Sequence, residues 1–402
     1  MNHNVPRTKW AHVTLDERDA VEREARAKAA ARAVLEKQKR KAPVPPVPPR
    51  EAYPPIAGCE SVVKYERLNH IEEGSYGVVS RARNKETGEV VALKQLKLDK
   101  EKHGFPITSL REIHALMEAR HPHIVQLKEL VVGDTLNKVY LVMEFVEHDM
   151  KTLLGSMRTP FLQSEIKALM QQILAAVAYM HDRWIVHRDL KTSNLLMTNR
   201  GCVKIADFGL ARMFGDPQRA MTSLVVTLWY RAPELLLGAE VYDTAVDMWS
   251  VGCIFAELLL RVPLFPGKKE TDQVSRIFRL LGRPTPERWP GYTALPNAAT
   301  LGKSAAPSQS SLRHRFRYTT DATLDMLERM LTLNPARRIS SEDALKHVYF
   351  TESPLPAHPD SFGSFPSAAS GEKRRALSPS IPRRDAAQQY PLEFEWKQQN
   401  VE

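Results

Sequence analysis

The sequence predicts an α+β fold with two lobes: a small lobe made of an antiparallel sheet with one main helix, and a larger, mainly helical lobe. Apolar residues alternate with period two over residues 61–145, around one helical segment, which is typical of a small sheet-rich lobe. Between Ser164 and Asp182 the apolar residues instead recur with the period of a helix. With 402 residues and 43% hydrophobic content, the chain can bury one large core, and the large lobe is expected over residues 146–350.

Both ends of the chain differ in composition from this central part. Residues 1–41 are basic and alanine-rich, and residues 14–17 resemble a capping box, so we expect a helical extension with a thin apolar stripe. The proline-rich residues 42–60 predict a semi-rigid linker. Residues 351–402 are rich in proline and serine and predict a disordered tail, while the low-complexity residues 297–311 predict a loop inserted in the large lobe.

Cysteine spacing and hydropathy exclude several classes of protein. Cys59, Cys202 and Cys253 are far apart and lack the spacing of a disulfide framework or a metal site, which favours a reducing compartment. No apolar run reaches the length of a membrane-spanning helix, so no membrane partner is expected. The polar amino terminus also lacks the apolar core of a signal peptide.

The net charge of +10 leaves three interpretations open. The basic runs at residues 37–41 and 373–375 are compatible with nuclear import, with nucleic-acid binding, or with solvated surface charge. We favour nuclear import, which predicts a nuclear protein, with the cytoplasm as the alternative location. No aromatic-rich basic module accompanies the two runs, so nucleic-acid binding by these arms is not favoured.

The groups that carry chemistry are concentrated in two short motifs. Residues 187–194 read HRDLKTSN, and DFG follows at residues 207–209. Together they supply two carboxylates, an ammonium and an amide, the set needed to hold a metal-bound nucleotide beside a hydroxyl. These groups belong to Asp189, Lys191, Asn194 and Asp207.

The upstream motifs predict a phosphate-binding loop and an ion pair. Residues 71–79 read IEEGSYGVV and lie between two alternating apolar runs, as a hairpin requires. Its glycines allow backbone N–H groups to approach phosphate oxygens. Lys94 ends the run VALK at residues 91–94, and Glu112, in a helical segment, is its natural ion-pair partner.

In this order and spacing, the motifs resemble those of the protein kinases over residues 65–350. The resemblance implies the bilobal protein-kinase fold and transfer of the γ-phosphate of ATP, with Mg²⁺, to a serine or threonine hydroxyl of a protein. Asp189 would orient the hydroxyl and accept its proton, and Lys191 would neutralise charge on the γ-phosphate. The catalytic residues implied are Asp189, Lys191, Asn194, Lys94, Glu112 and Thr227, and the metal ligands are Asn194 and Asp207.

The same resemblance implies an ATP site in which one position departs from the family pattern. Glu72 replaces the first glycine of G-x-G-x-x-G, but two glycines remain, so we expect ATP binding to be retained. The sequence leaves open whether Glu72 weakens it. The residues implied to contact ATP are Ile71, Glu72, Glu73, Gly74, Ser75, Tyr76, Gly77, Val78, Val79, Ala92, Lys94, Met143, Glu144, Phe145, Val146, Leu196 and Asp207.

Supporting contacts are also implied for residues outside the two main motifs. Asp247 is expected to hold the backbone of the catalytic loop, and Arg338 to be the buried partner of Glu234. Thr227 is expected to bond the catalytic loop, which together with Lys191 indicates serine/threonine specificity.

The run GFPITSLRE at residues 104–112 resembles the cyclin-dependent kinases in their PITSLRE form, and residues 59–62, 146–149 and 228–231 are similar to the same subgroup. The resemblance implies a cyclin partner, of the L type, packing on the helix that carries Glu112, which is expected to swing outward without it. It also implies Ser-Pro or Thr-Pro substrates and roles in transcription, pre-mRNA processing or cell-cycle control. The alternative is a pseudokinase scaffold, disfavoured because the catalytic residues are all present.

Regulatory phosphorylation is implied in two places. Thr222 aligns with the phospho-acceptor of the activation segment, and Ser223 is the alternative acceptor. A phosphate there would pair with several guanidinium groups and order the segment. Ser75 and Tyr76 occupy the positions of inhibitory phosphorylation. The arginines expected to converge on the phosphate are Arg111, Arg188 and Arg212.

Overall fold

The computed structural model describes residues 23–29, 58–73, 77–98, 105–135, 138–157, 159–215, 227–301 and 307–362. The chain divides into two compact units, Met1–Gly58 and Cys59–Glu402. In the first unit the described element is a helix, α1, over residues 23–29, with an ion pair between Glu24 and Lys28 one turn apart. The predicted capping box, both basic runs and most of the predicted linker lie outside the described residues.

The small lobe of the second unit is a six-stranded sheet with one helix, as the sequence predicts. The strands are β1 (Glu60–Ser61), β2 (Tyr65–Glu73), β3 (Gly77–Asn84), β4 (Val90–Leu96), β5 (Leu127–Val132) and β6 (Val139–Glu144), in the order β1-β5-β6-β4-β3-β2. Each neighbouring pair is antiparallel except the short β1, which is parallel to β5. Helix α2 (Ile107–Glu118) follows β4. The period-two pattern buries alternate side chains, including Ala82, Val91, Leu93, Val131 and Val142.

The large lobe is mainly helical. Its described helices are α3 (Met150–Ser156), α4 (Gln163–Asp182), α5 (Pro233–Leu236), α6 (Ala245–Leu260), α7 (Glu270–Leu281), α8 (Ala298–Leu301), α9 (Leu312–Arg315), α10 (Asp321–Met330) and α11 (Ser341–Leu345). The apolar stripe predicted along α4 is buried in the core. Gly252 lets α6 pack closely on α10, because a Cβ there would lie 2.9 Å from side-chain atoms of Met330 and Leu331. None of the described helices is long and apolar enough to cross a membrane.

Two small sheets carry the loops that hold the candidate site. One contains β7 (His148–Asp149), β9 (Leu195–Met197) and β10 (Val203–Ile205), in the order β10-β9-β7. The other pairs β8 (Ile185–Val186) with β11 (Arg212–Met213). The strands β8 and β9 flank the HRDLKTSN segment, so the chain enters and leaves this segment on paired strands.

Two predictions about irregular segments need correction. Residues 297–311 were expected to form a loop, but Ala298–Leu301 is the short helix α8, and the Ser311 N–H bonds the Leu280 carbonyl at 2.8 Å. The disordered tail was expected from residue 351, but the chain packs against α4 as far as Phe362, which is buried against Phe161. A few apolar residues within a proline- and serine-rich stretch are enough to hold this segment on the core.

Candidate active site

The backbone of the HRDLKTSN segment is fixed by a buried carboxylate on α6. Asp247 accepts the N–H groups of His187 and Arg188 at 2.9 Å each, and His181 Nε2 lies 3.0 Å away. Burial alone would raise the pKa of Asp247, but the hydrogen bonds from His181 and the backbone hold it below its ordinary value. The predicted contact is therefore confirmed. His187 is fully buried beneath the loop against Phe208.

Four donor groups converge on the carboxylate of Asp189. Oδ2 accepts from Lys191 Nζ at 2.7 Å and from Asn194 Nδ2 at 3.1 Å. Oδ1 accepts from the N–H and the hydroxyl of Thr227, at 3.2 and 3.0 Å. Lys191 Nζ also donates to the Thr227 hydroxyl at 3.2 Å. The predicted bond between Thr227 and this loop is confirmed. The side chains of Lys191, Asn194 and Thr227, together with the Thr227 N–H, occupy the roughly four lone-pair positions of the carboxylate.

Lys94 joins the small lobe to the DFG segment. Its ammonium lies 2.6 Å from Glu112 Oε1 on α2 and 3.1 Å from Asp207 Oδ1. Burial alone would lower the pKa of Lys94, but these two carboxylates outweigh it and raise the pKa above its ordinary value. Both ends of the Lys94–Glu112 pair are buried. The predicted ion pair is confirmed.

The structure holds α2 in the position that closes the Lys94–Glu112 pair. The outward swing of α2 in the absence of a cyclin stays a prediction. Phe208 is completely buried and lies in the turn that α2 packs on. With α2 in this position, the carboxylates of Glu112 and Asp207 both lie against the ammonium of Lys94 and neutralise it.

Asn194 and Asp207 fit the role of ligands for a hard divalent cation. The Asn194 amide nitrogen donates to the carbonyl and carboxylate of Asp189, which leaves its amide oxygen as the free acceptor. The Ala206 N–H bonds the Asn194 carbonyl at 2.9 Å, which brings the two residues together. Amide and carboxylate oxygens suit Mg²⁺. Among the described residues no group of three or more His, Cys, Asp or Glu residues could hold a metal.

The apolar residues predicted around adenine are partly exposed, whereas strand neighbours such as Val91 and Val142 are no more than 1% exposed. Ala92 lies opposite Met143 across the β4–β6 pair, and Val79 lies opposite Lys94 across the β3–β4 pair. The structure therefore brings most of the set together on one sheet and places one member, Leu196, on the separate strand β9. The partly exposed set is Ile71, Val79, Ala92, Met143 and Leu196.

The segment after β6 was predicted to read the edge of adenine through its backbone. The Glu144 N–H is already bonded to the Gln126 carbonyl at 3.1 Å, and its carboxylate pairs with Lys204 at 2.9 Å. An N–H donated to adenine would therefore come from Phe145 or Val146. Sequence patterns do not separate these three positions.

The glycine loop is a hairpin between β2 and β3, with Glu72 opposite Val79 and Glu73 opposite Val78. Gly77 is required by close packing, because a Cβ there would collide with the carbonyl oxygen of Gln95 on β4. Gly74, Ser75 and Tyr76 lie outside the described residues, as do Thr222 and Ser223. Their predicted roles, and that of Glu72 toward ATP, stay predictions.

The three arginines predicted to bind a phosphate lie near one another. Burial, and then the charges of Arg111 and Arg188, lower the pKa of Arg212. Arg188 is buried and held by the Leu210 carbonyl at 2.8 Å and the Tyr242 hydroxyl at 2.8 Å. In the part of the chain that the structure describes, none of the three pairs with a carboxylate. The cluster therefore offers a site for an anion.

Two buried groups of contacts support the end of the activation segment. The predicted pair of Glu234 and Arg338 is confirmed as a two-pronged salt bridge at 2.7 and 2.9 Å. Sequence reasoning missed a second group, in which Thr192, Tyr230 and Glu257 share hydrogen bonds. The one available signal was a glutamate inside the otherwise apolar stretch of α6.

Comparisons with known proteins agree with this geometry. The family described as "Protein kinase domain" matches residues 65–350. Cyclin-dependent kinase 11B of Homo sapiens is 54% identical over 331 residues, covering 82% of this chain and 42% of that protein. Serine/threonine-protein kinase ppk23 of Schizosaccharomyces pombe is 56% identical over 321 residues, covering 80% of this chain and 81% of that protein. Serine/threonine-protein kinase PITSLRE of Drosophila melanogaster is 51% identical over 346 residues, covering 84% and 36%. The chain thus spans less than half the length of the human and fly relatives.

Proposed function

Because the chain belongs to the protein kinase family, in the PITSLRE subgroup of the cyclin-dependent kinases, we propose that it is a cyclin-dependent serine/threonine kinase. It would transfer the γ-phosphate of ATP to hydroxyls of protein substrates. One observation carries the proposal. Lys94 contacts both Glu112 and Asp207, while Asp189, Lys191 and Asn194 are already assembled beside them. A scaffold would not need this complete set of charged groups in contact.

The hydrogen bonds of Asp189 indicate how the site would change when substrates bind. All lone-pair positions of its carboxylate are in use, so a substrate hydroxyl must displace one donor. Lys191 is the group that a γ-phosphate would attract most strongly, because it is a flexible ammonium. Its departure would free Oδ2 of Asp189 to orient the substrate hydroxyl and take its proton.

Charge on the phosphates would be met by groups that the fold already holds in place. Lys94 would contact the α- and β-phosphates, and the oxygens of Asn194 and Asp207 would hold Mg²⁺. Burial alone would raise the pKa of Asp207, but Lys94 outweighs it and holds the pKa below its ordinary value, so the carboxylate stays charged near neutral pH. Mg²⁺, when bound, supplies positive charge that offsets the charge on the phosphates.

The proposed partner is a cyclin, of the L type, packing on α2. Apolar side chains on α2 and just before it are exposed: Phe105, Ile107, Leu110 and Met117. A partner that covers them would hold Glu112 against Lys94. We further propose Ser-Pro and Thr-Pro sites as substrates, a nuclear location, and roles in transcription, pre-mRNA processing or cell-cycle control, as the subgroup resemblance implies.

The test is transfer of radiolabelled γ-phosphate to a Ser-Pro peptide by the full chain, with and without an L-type cyclin. The expected result is transfer that depends on the cyclin and on Mg²⁺. A peptide in which alanine replaces the proline reports the substrate preference. Binding of ATP without any transfer, with several cyclins tried, would instead favour the pseudokinase scaffold.

Phosphorylation of Thr222 is expected to raise activity through the arginine cluster. Thr222→Ala should lower kcat by about tenfold, since typical coupling between a modification and a site is about 1–3 kcal/mol. Arg212→Ala should have the same effect, and the double variant should be little worse than either, because all act through one contact. Ser223→Ala is the matched control, expected to retain activity. If the losses of kcat in the two single variants instead added up in the double variant, Arg212 and Thr222 would act separately.

A further inference from the structure

Three side chains left unused by the roles above form a buried hydrogen-bonded network beneath the catalytic loop. They are Thr192, Tyr230 and Glu257, and their exposures are 0%, 5% and 5%. Thr192 begins the turn that ends at Asn194. Tyr230 lies in the turn directly after Thr227, and Glu257 lies in α6. Three separate elements of the large lobe therefore meet at this network.

The Tyr230 phenol has a definite acceptor in this network. The phenol of Tyr230 donates to Oε2 of Glu257 at 2.6 Å. Burial, and then the charge of Glu257, raises the pKa of Tyr230, so the phenol keeps its proton. The hydroxyl of Thr192 lies 3.0 Å from the Tyr230 oxygen and 3.3 Å from Oε1 of Glu257, and its single proton can go to either acceptor.

A stabilising role does not explain why a carboxylate occupies this place. Burial raises the pKa of Glu257, which shows that the surroundings disfavour its charge. Well-packed apolar side chains in place of buried polar and charged groups are often equally or more stable. Hydrogen bonds, by contrast, set distances and angles that apolar packing does not. The network is therefore better explained by the positions that it sets.

Those positions belong to the groups around Asp189. Thr192 directly follows Lys191, which donates to Asp189 and to Thr227. Tyr230 is tied on its other side, because Ser250 on α6 donates to its carbonyl at 3.0 Å. The network thus joins the catalytic loop to the segment that carries Thr227.

We propose that Thr192 is a positioning residue for phosphate transfer: its hydroxyl, through Tyr230 and Glu257, holds the catalytic loop in register with the segment that carries Thr227. The proposal rests on the kinase function proposed above. Loss of the hydroxyl would let Lys191 and Thr227 move relative to each other, and so misplace the donors around Asp189. Binding of ATP, which involves the small lobe, would be spared.

The test uses the full chain with its cyclin and varies peptide and ATP separately. Thr192→Val keeps the branched shape and removes the hydroxyl, and should lower kcat by about tenfold, with KM for ATP and the thermal midpoint little changed. Thr192→Ser restores the hydroxyl and should restore kcat. Tyr230→Phe should resemble Thr192→Val, and the double variant should be no worse than the lower single variant.

Thr323→Val is the matched control, because Thr323 is a buried threonine on α10 whose hydroxyl lies 2.8 Å from that of Thr320. It should affect stability but not kcat. The proposal is overturned if Thr192→Val keeps full kcat, if Thr192→Ser is equally impaired, or if Thr323→Val lowers kcat as much. Failure of the unmodified chain to transfer phosphate would overturn the kinase function and this role with it.

Discussion

Asp189→Asn is expected to lower kcat by about 10³-fold while leaving nucleotide binding largely intact. An amide cannot accept the proton of the substrate hydroxyl. It also has one acceptor oxygen where Asp189 uses two, which together accept from Lys191, Asn194 and Thr227. The amide nitrogen would face at least one of these donors. Phosphate transfer measured in the presence of the cyclin, together with ATP affinity, checks both parts.

Asp182→Asn is the matched control for this variant. Asp182 is the last residue of α4, and its side chain is 70% exposed, so the same chemical change should leave kcat unaltered. Retention of more than about a tenth of the activity by Asp189→Asn would contradict its role as the base, since such groups typically contribute 10²–10⁴-fold. Equal loss of ATP binding would instead indicate a folding defect.

Contacts between residues far apart in the chain were predictable where a motif supplied both partners. The motifs pair Lys94 with Glu112 and Glu234 with Arg338, and both pairs are present. Neither follows from local periodicity, because a pattern of apolar residues reports which face is buried and not which charges meet there. The resemblance to a known family supplied this missing information.

The family resemblance did not predict the contacts among Thr192, Tyr230 and Glu257. All three lie in or near recognised motifs, but their hydrogen bonds depend on side-chain directions that only packing decides. Which of two positions α2 takes is also not predictable from the residues, because a helix that can move between two positions is governed by a difference of only a few kcal/mol. Composition misled for residues 351–362, where Phe362 is buried against Phe161 and the Ala357 N–H bonds the Ser164 carbonyl.

Arg338→Gln is expected to lower the free energy of unfolding by about 3–5 kcal/mol, because it leaves the carboxylate of Glu234 buried without its partner. The side chains of Arg338 and Glu234 are 0% and 4% exposed, so water cannot solvate the Glu234 carboxylate once Arg338 is lost. Arg338 also donates to the carbonyls of Ala245 and Thr332 at 2.6 and 3.0 Å, and these would lose a donor too. Urea unfolding of the full chain measures the change.

Arg313→Gln provides the comparison that separates burial from charge. Arg313 pairs with Asp321 at 2.9 Å, but their side chains are 74% and 87% exposed, so its loss should cost less than about 1 kcal/mol.

Replacing both Glu234 and Arg338 with leucine and methionine should recover part of the stability lost in Arg338→Gln, since no unpaired charge then remains. If Arg338→Gln were as mild as Arg313→Gln, the pair would not be what holds the end of the activation segment to the base of α6. Activity of the folded fraction of Arg338→Gln should stay close to that of the unmodified chain, because the pair acts on folding and touches none of the groups around Asp189.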